Sequence, residues 1–215
     1  MDWPKGFISE LVITMENELE MIQTLSEYQN FGLVPFPCSP FSTKIHDSVE
    51  GRLLFHKASQ GIQMNEKEII EWFGEKKLDN CGLITGEKGN LSVIEFDNQE
   101  ILSNLYKKIK NDENISNIIF KNFLENLDHS TTMILTPDKK LQFWFRYSEN
   151  LPAYENDYDE IDLLKGITIY SNGYIVAPPS FIREKNNFGQ YELLLGKKPS
   201  LFPKEIDFFT EILSK

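Results

Sequence analysis

Residues 91–97 read Leu-Ser-Val-Ile-Glu-Phe-Asp. Leu91, Val93 and Ile94 supply an apolar, largely β-branched run that favours a buried strand. Strand side chains repeat every two residues, so Glu95 and Asp97 point to one face. Two acids closing an apolar strand can hold a divalent metal over a sheet, because hard cations take oxygen ligands. The competing reading is a strand end whose Glu95 faces water and whose Asp97 caps a helix starting near Gln99.

Gly89-Asn90 reads as a turn before this stretch, and Cys81–Thr85, ending at Gly86, is a second short strand. The two are expected to pair as a hairpin, with Leu91–Asp97 central in its sheet. Downstream, Ile101, Leu105 and Ile109 mark a helix, and Phe120, Phe123, Leu124 and Leu127 mark another. Thr131–Thr136 and Leu141–Tyr147 read as strands around a turn at Pro137-Asp138-Lys139-Lys140. Ser148–Asp162 is polar and acidic, an expected loop. Gly166–Tyr170 and Gly173–Ala177 are short strands around Ser171-Asn172, and Pro178-Pro179-Ser180 ends the second. Tyr170 and Tyr174 are expected to pack within that hairpin, and Tyr191–Leu195 is a last strand. Pro203 opens a C-terminal helix carrying Ile206, Phe209 and Leu213.

Upstream, Met15, Leu19, Ile22 and Leu25 place a helix over Thr14–Asn30, stopped by Gly32. Leu33–Pro40 is a short strand entering a Pro-rich turn, and Arg52–Gln63 shows no clear pattern. Asn65 and Glu68 form a capping-box pair for a helix over Asn65–Lys77, with Ile69, Trp72 and Phe73 on its apolar face. Helices mixed with hairpins predict an α+β fold with a largely antiparallel sheet. One domain over 1–215 is expected, with a helical lead-in over 1–31 and a terminal helix over 203–215.

At 215 residues and 40% hydrophobic content the chain can bury a sizeable core, which excludes the disordered classes. The net charge of −11 argues against sequence-independent wrapping of nucleic acid, which needs Lys and Arg to neutralise phosphates, but permits a local basic groove. Cys38 and Cys81 lack metal-site spacing and read as reduced thiols of a cytoplasmic protein. No apolar run reaches transmembrane length, and the opening MDWPKGF has no signal-peptide pattern, so no membrane role is expected. His46, His56 and His129 are scattered without ligand spacing.

Three blocks then carry a family resemblance. NCGLITG with LSVIEFD (Asn80–Asp97), TPDKKLQFWFRY (Thr136–Tyr147) and GITIYSNGYIVAPPS (Gly166–Ser180) occur in order. Gly32–Lys44 and Phe55–Ser59 add weaker echoes. Together they resemble the Prim-Pol domain, the bifunctional DNA primase/polymerase module of the archaeo-eukaryotic primase superfamily. The resemblance implies two divalent metals, Mg or Mn, held by three acids, joining a nucleotide 3′-hydroxyl to an incoming triphosphate. Carried onto this chain, it implies Glu95 and Asp97 as catalytic metal ligands, with Ser180 among the groups near the triphosphate. It also implies nucleotide triphosphate or primer and template as ligands, and a helicase or other replication protein as partner.

The departures fall on the chemistry. Glu95 stands where Asp is usual, and Gln142 where a His is usual, so no proton carrier near neutral pH is present there. Lys139-Lys140 replaces a Gly-Gly that lets backbone approach phosphate, and the third acid falls at Thr168, a poor metal ligand. Asp159 or Asp162 could substitute for it. On the Leu141–Tyr147 strand, Phe143 and Phe145 form a core face. Lys140, Gln142 and Arg146 form the opposite polar row, and with Lys139 at the turn they are the expected phosphate contacts. Expected function is therefore a degenerate domain linked to replication of a plasmid, virus or mobile element, binding nucleotide or nucleic acid with weak or no catalysis. The alternatives are an active metal-dependent primase/polymerase and a protein-interaction module that kept the fold.

Overall fold

The computed structural model describes residues 19–76, 78–110, 122–123, 125–153, 165–184, 187–195 and 198–206, without the side chains of 108–110 and 128–129. Residues 19–30 form helix α1, whose Met21, Leu25 and Tyr28 are buried at helical spacing, whereas Leu19, expected on that face, is exposed. Gly32, at φ 80°, ends it. The unpatterned segment is helix α2, Val49–Ser59, capped by Ser48. Its buried stripe is Gly51, Leu54 and Ala58, too narrow and small to stand out against exposed Val49 and Leu53. The Asn65–Glu68 capping box forms as expected and opens α3, Glu66–Ile69, which continues as a π-helical stretch over Ile70–Glu75 with Trp72 and Phe73 buried.

The strands are β1 Pro35–Pro37, β2 Cys81–Thr85, β3 Ser92–Phe96, β4 Thr132–Leu135, β5 Leu141–Arg146, β6 Ile167–Tyr170, β7 Gly173–Ala177, β8 Phe181–Glu184, β9 Asn187–Gln190, β10 Glu192–Leu195 and β11 Ser200–Leu201. They build two main sheets, β1-β2-β7 and β10-β4-β5-β3-β6, beside a β8–β9 hairpin. Every named pairing is antiparallel except β11 on β5, so the α+β class and sheet type are as expected.

The expected hairpin of β2 with β3 does not form. β2 pairs with β1 and β7, and β3 with β5 and β6; a single bridge, Gly86 to Leu91, joins the two strands. Gly86 at φ 87°, the 3-10 turn Glu87–Gly89 and left-handed Asn90 carry the chain out of one sheet and into the other. A Cβ on Gly86 would strike the Ser171 carbonyl, which belongs to the second crossing, from β6 to β7. That crossing is likewise no hairpin. Tyr174 packs edge-on to Phe36 and Phe55, Tyr170 reaches Glu95 through its hydroxyl, and both lie against the core between the sheets.

β3 lies between two cores. Leu91 and Val93 join Trp144, Ile134 and Tyr28 between the sheets, while Ile94 and Phe96 join Phe143, Phe145, Ile167 and Ile169 on the far face. Helix α4, Gln99–Lys110, covers that far face through Leu105. Its first turn is capped by Asn98, whose Oδ1 accepts from Ile101 N at 3.0 Å, rather than by Asp97. Residues 203–206 form a turn, so the C-terminal helix expected from Pro203 otherwise falls on 207–215, outside the described residues. The helix expected around Phe120–Leu127 and the loop Ser148–Asp162 lie partly outside them too. Among the described residues no helix is long and apolar enough to cross a membrane.

Candidate functional site

The β4–β5 turn delivers the site's cation. Thr136 Oγ1 accepts from Lys140 N at 2.9 Å and donates to Asp138 Oδ1 at 2.6 Å, while Lys139 takes the left-handed conformation at φ 69°. Lys140 thereby enters β5 on the same face as Gln142. Register sets Glu95 opposite Gln142 on one side and Thr168 on the other, so three of the aligned positions share one rung.

Glu95 is only 4% exposed, and both its oxygens are engaged. Oε1 accepts from Lys140 Nζ at 3.2 Å and from the Tyr170 hydroxyl at 3.3 Å, and Oε2 accepts from Gln142 Nε2 at 2.8 Å. Trp144 Nε1 donates to Gln142 Oε1 at 3.1 Å, which fixes the amide with its NH2 toward Glu95. Lys140 Nζ also lies 2.9 Å from Asp97 Oδ1. Partial burial pulls the Lys140 ammonium down, but the Asp97 hydrogen bond and the Glu95 and Asp97 charges outweigh it and hold its pKa above the ordinary 10.5. Asp97 N donates to Gly166 O at 2.8 Å, and a Cβ on Gly166, at φ 79°, would collide with Ile101. Beyond Glu95, the buried Tyr191 phenol is pushed well above its usual range by burial first and then by the Asp138 and Glu95 carboxylates.

Of the residues singled out from the sequence, Glu95, Asp97, Lys140, Gln142 and Thr168 are brought together. Arg146 shares their face but stands four residues along β5 from Gln142, about 13 Å at strand rise, beyond buried Trp144. Lys139 is exposed at the turn. Ser180 is fully buried elsewhere; its Oγ accepts from Cys81 N at 2.9 Å and donates to Cys81 O at 3.3 Å, tying the Pro178-Pro179 turn to β2. Asp159 and Asp162 lie outside the described residues. Tyr170 was missed: it follows Thr168 by two on one strand, which puts it on the same face, but the hairpin reading drew it elsewhere.

A divalent metal does not fit this donor set as it stands. The two carboxylates share one ammonium, and Tyr170 and Gln142 take two further acceptor positions of Glu95. Among the described residues no three His, Cys, Asp or Glu side chains converge to hold an ion. His46 stands edge-on to Trp72 at 5.0 Å, His56 bonds Gln60 on its own helix, and the His129 side chain lies outside the described residues. Cys38 and Cys81 are buried free thiols, and burial raises Cys81 to about 12. A neighbouring cavity of about 490 Å³, lined by Tyr28, Trp144 and Tyr191, is rimmed by Glu20, Glu27 and Glu192, which repel phosphate.

No match to the chain was found among curated proteins. Residues 29–205 match the family described as bifunctional DNA primase/polymerase, N-terminal (Prim-Pol).

Proposed function

The chain belongs to the bifunctional DNA primase/polymerase (Prim-Pol) N-terminal family, and from that membership we propose that it is a non-catalytic member. It engages nucleic acid or nucleotide without joining nucleotides, in the cytoplasm, during replication of a plasmid, virus or other mobile element. The observation that carries the reading is the Lys140 ammonium, 3.2 Å from Glu95 and 2.9 Å from Asp97. An ammonium between two carboxylates supplies the positive charge that a metal would supply, but it offers no coordination site for a phosphate oxygen or a 3′-hydroxyl. Gln142 and Thr168, on the same rung, replace a proton carrier and an acid. With Lys140 neutralised by the acids, Lys139 and Arg146 remain of the cations expected from the sequence to meet phosphate.

The test is primer extension with Mg2+ and with Mn2+ on the full chain. Expected is no incorporation above background. Robust incorporation that disappears in Glu95→Ala/Asp97→Ala overturns the reading and establishes the metal-dependent primase/polymerase instead. Restoring chemistry requires removing the built-in cation as well, so Gln142→His/Thr168→Asp alone should stay inactive while adding Lys140→Gly should allow Mn2+ to bind.

A further inference from the structure

Outside the acidic cleft, the most unusual exposed surface is aromatic. Phe188 is 66% exposed and Phe41 40% exposed, and each sits edge-on to Phe181, with ring centroids 5.2 and 6.4 Å away. Cross-strand register pairs Arg183 with Phe188 and Phe181 with Gln190, so one face of the β8–β9 hairpin presents all four. The Arg183 guanidinium stacks 5.1 Å from the Phe41 ring centre.

Ile182, fully buried in the core, anchors β8, and part-buried polar ties fix the surface around it. Asn80, fully buried, accepts from Phe181 N at 2.9 Å and donates to Ser39 O at 3.4 Å and to Ser42 O at 3.2 Å. Arg183 N donates to Phe41 O at 2.8 Å. On the hairpin's other face, Glu184 Oε1 accepts from Ser42 Oγ at 2.6 Å and Thr43 N at 3.0 Å. These ties hold Phe41 at φ 57°, a conformation a bulky side chain rarely adopts. Strain of this kind concentrates at functional positions.

We propose that the β8–β9 hairpin and the loop at residues 39–45 form a stacking platform for the unpaired bases of single-stranded nucleic acid. Exposed rings interleaved with cations are what such strands bind, since every base offers a π-face and the backbone a negative charge. Arg183 is exposed on this face of a chain whose net charge is −11, so a cation stands beside the exposed rings where a polyanion needs one, while Lys44, also exposed, lies near the Glu184 carboxylate. The inference rests on the reading above only in taking nucleic acid as the domain's ligand; it places the contact outside the acidic cleft.

Fluorescence anisotropy with a labelled oligodeoxythymidine of about 12 nucleotides, within the range one such site covers, tests it at low salt. Phe188→Ala and Arg183→Ala should each weaken binding about tenfold, and Phe188→Trp should retain it. Phe41→Gly relieves the positive φ yet removes a ring, so it should melt no lower than the unmodified protein and still bind more weakly. Duplex of the same length should compete poorly. Absence of binding by the unmodified protein, or unchanged binding in Phe188→Ala and Arg183→Ala, overturns the platform. Binding lost only in Lys139→Ala or Arg146→Ala also overturns it while leaving the cleft reading intact. Primer extension, which tests catalysis, is unaffected by either result. Self-association through Phe188 without oligonucleotide binding counts against the proposal as well.

Discussion

At the scale of single residues, Lys140 decides what the acidic pair can do. A nearly buried carboxylate is costly unless it is paired and hydrogen-bonded, and Glu95 meets that cost with one ammonium, one amide and one phenol. Lys140→Met should therefore destabilise the fold by about 1–3 kcal/mol at neutral pH, measured by urea unfolding, because two neighbouring acids lose their shared counter-charge. The pH dependence has a definite sign. The folded-state pKa of Lys140 lies above 10.5, so its contribution is complete below that value and is lost as pH rises through the folded-state value. The stability gap between the unmodified protein and Lys140→Met should stay level up to about pH 10 and close above it. A gap that persists at high pH would show that the aliphatic stem, not the charge, carries the effect. Beside it, Lys139 occupies φ 69° at an exposed turn, so Lys139→Gly should raise stability by about 0.5–1 kcal/mol. The departures at Gln142 and Thr168 were legible through the family resemblance, and strand register sets both on the rung of Glu95. The ion pair of Lys140 was not, since a turn lysine reads as solvated until the neighbouring strand is known.

Elements show why. The expected strands at β2, β3, β4, β5, β6 and β7 all form, because each carries its own alternation or apolar run and its own turn residues. Their partners were misread twice, at β2–β3 and at β6–β7, where short Gly- and Asn-containing connections look like hairpins but cross between sheets. Local chemistry is the same for both outcomes. What selects the crossing is non-local: Leu91 and Val93 pack with Trp144 and Tyr28 between the sheets, and Gly86 lets the two crossings touch. Gly86→Ala should consequently cost more than about 2 kcal/mol in unfolding free energy, through both the positive φ and the collision with the Ser171 carbonyl. If Gly86→Ala unfolds like the unmodified protein, the adjacency of the two crossings is not what holds the sheets together. The β8–β9 hairpin escaped the sequence reading because its alternation is broken by Arg183, Glu184 and Gly189, residues whose positions make sense only against Phe41 and Ser42.

For the whole molecule, charge and shape pull in opposite directions. A chain of net charge −11 repels a polyanion at long range, yet its family handles nucleic acid. The conflict resolves if affinity comes from short-range stacking at a small patch rather than from a basic groove that tracks phosphates. That difference is measurable. Each phosphate neutralised on a single strand contributes a slope of about −0.7 to log K against log salt. With Arg183 as the contacting cation, the slope should be near −0.7, so raising salt from about 50 to 200 mM should cost about threefold in affinity. A phosphate-tracking groove with six or more contacts would lose about three-hundredfold or more over the same range. The two mechanisms also separate by mutation. Arg183→Ala should flatten the slope by about 0.7, whereas Phe188→Ala should lower affinity at every salt concentration and leave the slope unchanged. A steep slope insensitive to Arg183 would move the contact to cations away from the hairpin, and the acidic surface would then have to be bridged by counterions rather than avoided.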